Sequence, residues 1–455
     1  MENKKIQKGL FFEYKKQSVL SSIVKRSDII LPLAFLILCA IGSILLILPF
    51  STTNSISFLD ALFTSVSAGC VTGLTVLSTG QDFTFFGQLI ILLLIQAGGL
   101  GIMSITSILF IIFGKRMSLS QEKTTRDILD VESQDEIKNS LNLIFKYTFL
   151  IEFAGMCIFL ICFLFSNMNI SEALKNSIFL AVSAFCNAGF VLNQTGIIEY
   201  QSNPIILYTI SCLVLFGAMS PAISVLIPKW LKGKKLSPQA VLVLNTTLII
   251  IIIGTLFLII SENIGTMGTM SVWEKFNNAA FQAMATRTAG FSSINFSNIN
   301  VGTYILMLIF MIIGGSPGGT AGGIKTCTFG VLVLTAYNLI KGKSNIIRNK
   351  NITFLTVQKA IALVFLYLLM LMVVVLTLIT TQSIDADKLI FEAVSALGTV
   401  GVSMGITPQL DEVGRVIIII AMFIGRVAPT TFLCYLNTKN YDTNISYPDA
   451  RITLT

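Results

Sequence analysis

One spacing recurs four times in this chain, an alanine, four residues, then a glycine, at Ala68 to Gly73, Ala184 to Gly189, Ala285 to Gly290 and Ala396 to Gly401. The glycines lie 116, 101 and 111 residues apart, so the chain reads as four copies of one unit. Each copy closes on a tetrapeptide: Val71-Thr72-Gly73-Leu74, Asn187-Ala188-Gly189-Phe190, Thr288-Ala289-Gly290-Phe291 and Thr399-Val400-Gly401-Val402. The chemistry on offer is that of the backbone. Four related loops around one axis can aim carbonyl oxygens at it and replace the water shell of a dehydrated cation. Consecutive carbonyls share a direction only where the backbone alternates between right- and left-handed conformations, a step that is cheap for glycine.

The flanking sequence predicts what positions these loops. Each unit reads as a spanning helix, a short helix that dips in, the loop, and a second spanning helix. The first unit, 28–113, has helices at 28–50, 57–68 and 85–113, and the second, 141–228, at 141–166, 171–184 and 203–228. The third, 238–340, has them at 238–261, 271–285 and 301–340, and the fourth, 353–437, at 353–381, 384–396 and 413–437. The short helices fall below the ~20 residues needed to cross a bilayer. Irregular backbone at that depth is tolerated only around a water-filled cavity. Ser57 with Asp60, and Ser271 with Glu274, have capping-box spacing, and Ser171-Glu172 and Asp385 with Asp387 place acid at the other two starts. The opposite ends, each carrying roughly half a negative elementary charge, then point inward and favour a cation. The expected fold is an all-α integral membrane protein with four helix–pore loop–helix repeats around one central pore in a single chain.

Composition agrees. The chain is 54% hydrophobic and 12% charged, with its apolar residues in blocks long enough to span. Of its 31 Lys and Arg, 22 fall in 1–28, 114–140, 229–236, 341–352 and the residues after 438, between the apolar blocks. The positive-inside rule puts these segments in the cytoplasm: the N-terminal segment 1–27, the loops 114–140, 229–237 and 341–352, and the tail 438–455. A net charge of +8 distributed in this way reports topology rather than nucleic-acid binding. The opening residues are too polar for a cleavable signal peptide. Eight cysteines without metal-ligand spacing read as packing residues, and the absence of histidine argues against enzymatic chemistry.

Residues 314–323 read Gly314-Gly315-Ser316-Pro317-Gly318-Gly319-Thr320-Ala321-Gly322-Gly323 in the middle of an apolar block. No continuous helix survives that run, and the break is predicted beside the cavity, as a gate beneath the loops. A phosphate-loop reading fails because Ile324 separates Gly323 from Lys325 and no strand precedes it. Lys325 and Arg426 are charges within membrane blocks, expensive unless they face water or a partner. A structural ion pair between Arg426 and Glu152 is one alternative to a gating role, and Arg287 is expected to brace the third loop against Glu392 or Asp60.

On these residues the chain resembles the Trk/Ktr/HKT superfamily of cation transporters, over essentially its whole length. Thr399-Val400-Gly401 is similar to the Thr-Val-Gly core of the potassium-channel filter. One spanning helix rather than three precedes the first loop, as in KtrB-type membrane subunits. The resemblance implies potassium uptake by channel-like permeation, with the four tetrapeptides as selectivity filter holding potassium at their carbonyls. It implies a gating loop at 314–323 with Arg426 just below the filter. Gly73, where sodium-permeable relatives have serine, favours potassium, with sodium as a second candidate ion. It further implies a homodimer in the bacterial plasma membrane with both termini cytoplasmic, regulated by a cytosolic KtrA-like ring that carries the nucleotide, this chain binding no cofactor beyond the potassium ion. Two other machines share parts of this plan: the potassium-binding subunit of an ATP-driven pump, and a coupled cation symporter without an open pore.

Overall fold

Helix starts in this chain are set by short polar side chains and proline, which satisfy or remove the free amides of a first turn. The structure, a computed structural model, describes residues 27–112, 134–193 and 195–438. The N-terminal segment, most of the loop 114–140 and the C-terminal tail lie outside the described residues.

The first unit comprises α1 (Ser27–Leu46), α2 (Phe58–Gly69) and α3 (Phe85–Ile112). The second comprises α4 (Gln134–Phe165), α5 (Ile170–Cys186) and α6 (Pro204–Ala218), followed by two short turns of helix, α7 (Pro221–Ser224) and α8 (Ile227–Leu231). The third has α9 (Pro238–Ser261), α10 (Val272–Ala285), α11 (Val301–Ile312) and α12 (Thr326–Ile340). The fourth has α13 (Phe354–Thr381), α14 (Ala386–Gly398) and α15 (Glu412–Thr438). Ser57 accepts the Asp60 amide at the start of α2, and Ser271 with Glu274 forms a complete capping box on α10. Asn169 is the N-cap of α5, which begins one residue earlier than expected and carries Glu172 in its first turn as expected.

Three sequence expectations are corrected. The helix expected over 203–228 stops at Ala218 and turns by 117°, because Pro221 has no amide to continue the ladder and Ser220 caps a new turn instead. Residues 134–140, expected in a loop, begin α4. The loop 341–352 holds a small antiparallel hairpin, Ile346–Ile347 against Lys350–Asn351, with Arg348 and Asn349 both at positive φ, as a two-residue turn of the type I′ kind requires.

Among the described residues α9, α13 and the Leu143–Phe165 part of α4 are each long and apolar enough to cross a membrane, and α6 with α7 and α8 qualifies only as a bent pair. Leu150, Phe153, Ile260 and Phe365 are among the many large apolar side chains on the outer surface, as lipid-facing helices require.

The units are arranged in a cycle. The helix that follows each loop packs against the short helix of the next unit: α3 on α5, α6 on α10, α11 on α14, and α15 back on α2. The last contact joins the two ends of the chain around an apolar cluster that includes Phe63, Leu378, Leu389 and Met422. It is reinforced by an ion pair at 2.6 Å between Arg415 on α15 and Asp60 on α2, both largely buried. Arg415→Ala removes that pair and the bond from Arg415 Nε to Leu410 O. A loss of about 1–3 kcal/mol is expected in thermal unfolding; an unchanged melting temperature would show that packing alone closes the cycle.

Candidate functional site

The four loops begin where the short helices end, and the ending dictates their shape. In the first, second and fourth units the amide two residues before the loop glycine bonds back three positions and the next amide bonds back five. Val71 and Thr72 reach Ala68 O and Ser67 O, Asn187 and Ala188 reach Ala184 O and Ser183 O, and Thr399 and Val400 reach Ala396 O and Ser395 O, all at 2.8–3.2 Å. This is the Schellman closure, which demands a left-handed residue at its centre. Val71, Asn187 and Thr399 accordingly sit at φ +56°, +60° and +50°. The third loop winds on through Thr286 and Arg287 before Thr288 turns left-handed at φ +71°, with Ala289 N bonded to Ala285 O.

Each loop therefore alternates. A left-handed residue is followed by a right-handed or extended one and then by a glycine at positive φ: Gly73 +98°, Gly189 +71°, Gly290 +77° and Gly401 +91°. The sequence placed one left-handed step per loop, at glycine; the structure has two, and Val71, Thr288 and Thr399 adopt theirs despite β-branching, a cost of order 1–3 kcal/mol each.

The loops meet. A Cβ on Gly73 would lie 2.4 Å from Ala188 O, on Gly189 2.8 Å from the Gly290 Cα, on Gly290 2.8 Å from Val400 O, and on Gly401 2.0 Å from Thr72 O. The contacts form a closed cycle in chain order, with the carbonyls of Thr72, Ala188, Ala289 and Val400 all at this meeting point. The side chains of Leu74, Phe190, Phe291 and Val402 turn away into the surrounding apolar clusters. The hydroxyls of Thr72, Thr288 and Thr399 are buried with no hydrogen-bond partner. A shallow cavity of about 430 Å³, lined by Thr75, Ser78, Asn193 and Ser292 among others, opens onto Gly73, Gly189 and Gly290.

Residues that the sequence reading passed over hold the loops from behind. Ser67 Oγ accepts the Gly73 amide and Ser395 Oγ the Gly401 amide, both at 3.1 Å, and Ser183 Oγ donates to Phe190 O at 2.7 Å. In the third unit Gln282 does this work, donating to Phe291 O and accepting the Ser293 amide. The signal was present: serine precedes the repeated alanine in three of the four units. Gly98, Gly217 and Gly425 were also missed. A Cβ on them would come within 2.0, 1.7 and 2.0 Å of Gly69 O, Phe185 O and Leu397 O, each four residues before a loop glycine, so these helices press directly on the ends of the short ones.

The glycine-rich run does break its helix, between Ile312 and Thr326. Its neck is closed by backbone bonds, Gly314 N to Ile324 O, Ile324 N to Ile312 O and Thr326 N to Gly315 O, all 2.9 Å. Its body docks on the free end of α6: Ser316 N and Thr320 N donate to Ala218 O and Gly217 O, and Ser316 Oγ accepts the Ser220 amide. Gly315 and Gly319 are needed there, because a Cβ on either would lie 2.4 or 2.2 Å from Ala218 O. On the other side Gly322 abuts the Thr399 hydroxyl.

Three cations hold this segment's carbonyls. Arg426 Nη1 donates to Thr320 O and its Nη2 to Gly98 O at 2.9 Å, Arg287 Nη2 donates to Gly314 O at 3.1 Å, and Lys325 Nζ donates to Ala321 O at 2.6 Å. Arg287 is thus braced on the broken helix, not on Glu392 or Asp60. Glu392 instead accepts from Ser403 and Thr407, and Asp60 is taken by Arg415. Glu152 is no partner of Arg426; its Oε2 faces Gln96 Nε2 at 3.4 Å.

A bundle of apolar helices whose repeats bring four carbonyl-bearing loops together is a membrane-protein architecture with a site suited to a cation. The family model described as "TrkH: Cation transport protein" matches residues 3–437, and the chain belongs to that family. The Ktr system potassium uptake protein B of Bacillus subtilis is 35% identical over 93% of this chain and 95% of its own. The potassium/sodium uptake protein NtpJ of Enterococcus hirae is 33% identical over 92% and 95%. The crystal structure of the potassium transporter TrkH from Vibrio parahaemolyticus matches with a TM-score of 0.66 over 90% of this chain and 85% of that one, at 20% identity, which shows a shared fold.

Gly401→Ala puts a methyl group into the Thr72 carbonyl at a φ that alanine rarely adopts. Cation uptake by cells carrying this variant at normal abundance is expected to fall by about tenfold or more, the equivalent of ~1.4 kcal/mol; full uptake would show that the fourth loop lies off the ion's path.

Proposed function

We propose that this chain carries out potassium uptake across the bacterial plasma membrane. Potassium passes between the loops 71–74, 187–190, 288–291 and 399–402, which serve as selectivity filter, and residues 314–323 act as a gate beneath it. The observation that carries this reading is the closed cycle of four left-handed glycine turns with a peptide carbonyl beside each. The carbonyls of Thr72, Ala188, Ala289 and Val400 are the first candidates to replace water around the ion; those of Phe190 and Phe291 are already engaged by Ser183 and Gln282. Four short helices direct their carbonyl ends at the same place, with Asp60, Glu172, Glu274 and Asp387 in their first turns. Membrane potential supplies ~2.3 kcal/mol per charge per 100 mV, so uptake requires no catalytic group.

Gly73 in the first loop, together with glycine in the other three, favours potassium over sodium. Sodium is the second candidate ion, consistent with the name of the Enterococcus relative. Arg426 contributes a positive charge under the filter while tying the gate through Thr320, and opening requires that bond to break. A homodimer, with both termini and the basic loops on the cytoplasmic side, and a cytosolic nucleotide-binding ring acting on the gate complete the proposal.

In reconstituted vesicles Gly73→Ser is expected to lower the potassium-to-sodium permeability ratio by about tenfold, a ~1.4 kcal/mol change; an unchanged ratio would remove Gly73 from the filter. Deleting 316–320, or replacing Arg426 with alanine, is expected to raise potassium flux in the absence of any cytosolic partner. A folded but inactive deletion variant would assign the segment a scaffold role instead.

A further inference from the structure

On the outer surface of the second unit, α3, α4 and α5 diverge to leave a groove of about 970 Å³. Its walls are Leu92, Leu93, Leu150, Phe153, Met156 and Val182, and Leu93, Leu150 and Phe153 are more than half exposed, so the groove opens sideways toward lipid. It has room for roughly thirty water molecules at ~30 Å³ each, yet walls this apolar give water too few partners to fill it.

One wall residue does not fit a lipid-filled groove. Glu152 is 6% exposed, its Oε2 has only the 3.4 Å contact with Gln96 Nε2, and its Oε1 has no partner. A carboxyl group facing hydrocarbon is costly unless a donor or opposite charge meets it. The cation lining the same groove, Lys146, lies six residues earlier on α4, about 9 Å along the axis at 1.5 Å per residue. The amide of Gln96 also connects this carboxyl to the filter region, since Gln96 Oε1 faces Cys186 Sγ at 3.9 Å, one residue before Asn187.

We propose that this groove is a lateral binding site for an alkylammonium amphiphile that enters from the bilayer, its ammonium on Glu152 and its chain along the apolar walls. Charge complementarity selects the head: an ammonium neutralises the carboxylate that lines the groove, which neither an alcohol nor a second carboxylate does. Tyr147, Phe149 and Phe153 line the groove as well. The occupied site sits one amide away from the second loop.

The test uses the full chain in phosphatidylcholine nanodiscs and compares binding of dodecylamine, dodecanol and dodecanoate by native mass spectrometry. Dodecylamine is expected to bind at one site about tenfold or more tighter than the other two. Glu152→Gln should reduce it to the level of dodecanol, and Glu152→Asp should restore most of the affinity. Equal binding of the amine to Glu152→Gln would overturn the proposal. So would tightest binding of dodecanoate, which would move the head to Lys146, or exclusion of all three ligands by a second copy of the chain over the groove. If Glu152→Gln does not fold, the order of the three ligands on the unmodified chain still decides.

Discussion

Everything at the centre of this protein depends on backbone approaching backbone more closely than side chains permit. The Cβ that each loop glycine lacks would fall on backbone of the following turn, a carbonyl oxygen at Gly73, Gly290 and Gly401 and the Gly290 Cα at Gly189. Such contact requires residues without side chains at the meeting point, and it requires the neighbouring residues to be forced into left-handed geometry. The Schellman closures of α2, α5 and α14 supply that force, because two amides bonded back into the helix leave the residue between them no other conformation. The serines at 67, 183 and 395, with Gln282, then hold each loop from behind through one of its backbone amides or carbonyls.

The same principle governs the broken helix. Its glycines let it lie against the last carbonyls of α6, and the premature end of α6 at Ala218 is what makes those carbonyls available. The break in one unit and the bend in another are therefore two halves of one contact. Arg287, Arg426 and Lys325 occupy carbonyls on the segment's other sides, which accounts for three charges at membrane depth without any carboxylate partner among the described residues.

The sequence exposed the repeat, the short helices, the loop glycines and the interruption at 314–323, because each departs from a plain apolar helix by composition. It did not expose the end of α6, since Pro221 follows a run that is as apolar as the other spans. Nor could it pair Arg287 and Arg426, whose partners are carbonyls that belong to every residue alike. Charge-to-charge pairing is the natural expectation from residue types, and it holds for Asp60 with Arg415. The left-handed Val71 and Thr399 were hidden for a related reason: intrinsic preference points the other way, and only the tertiary closure overrides it.

The docking of residues 316–320 on α6 carries one more consequence. Ser316 N, Thr320 N, Ala218 O and Gly217 O satisfy one another. Any departure of the segment bares these groups together, and at that depth only water can take them up. For a segment that gates as proposed, its movement and the wetting of the space beneath the four turns are then a single event.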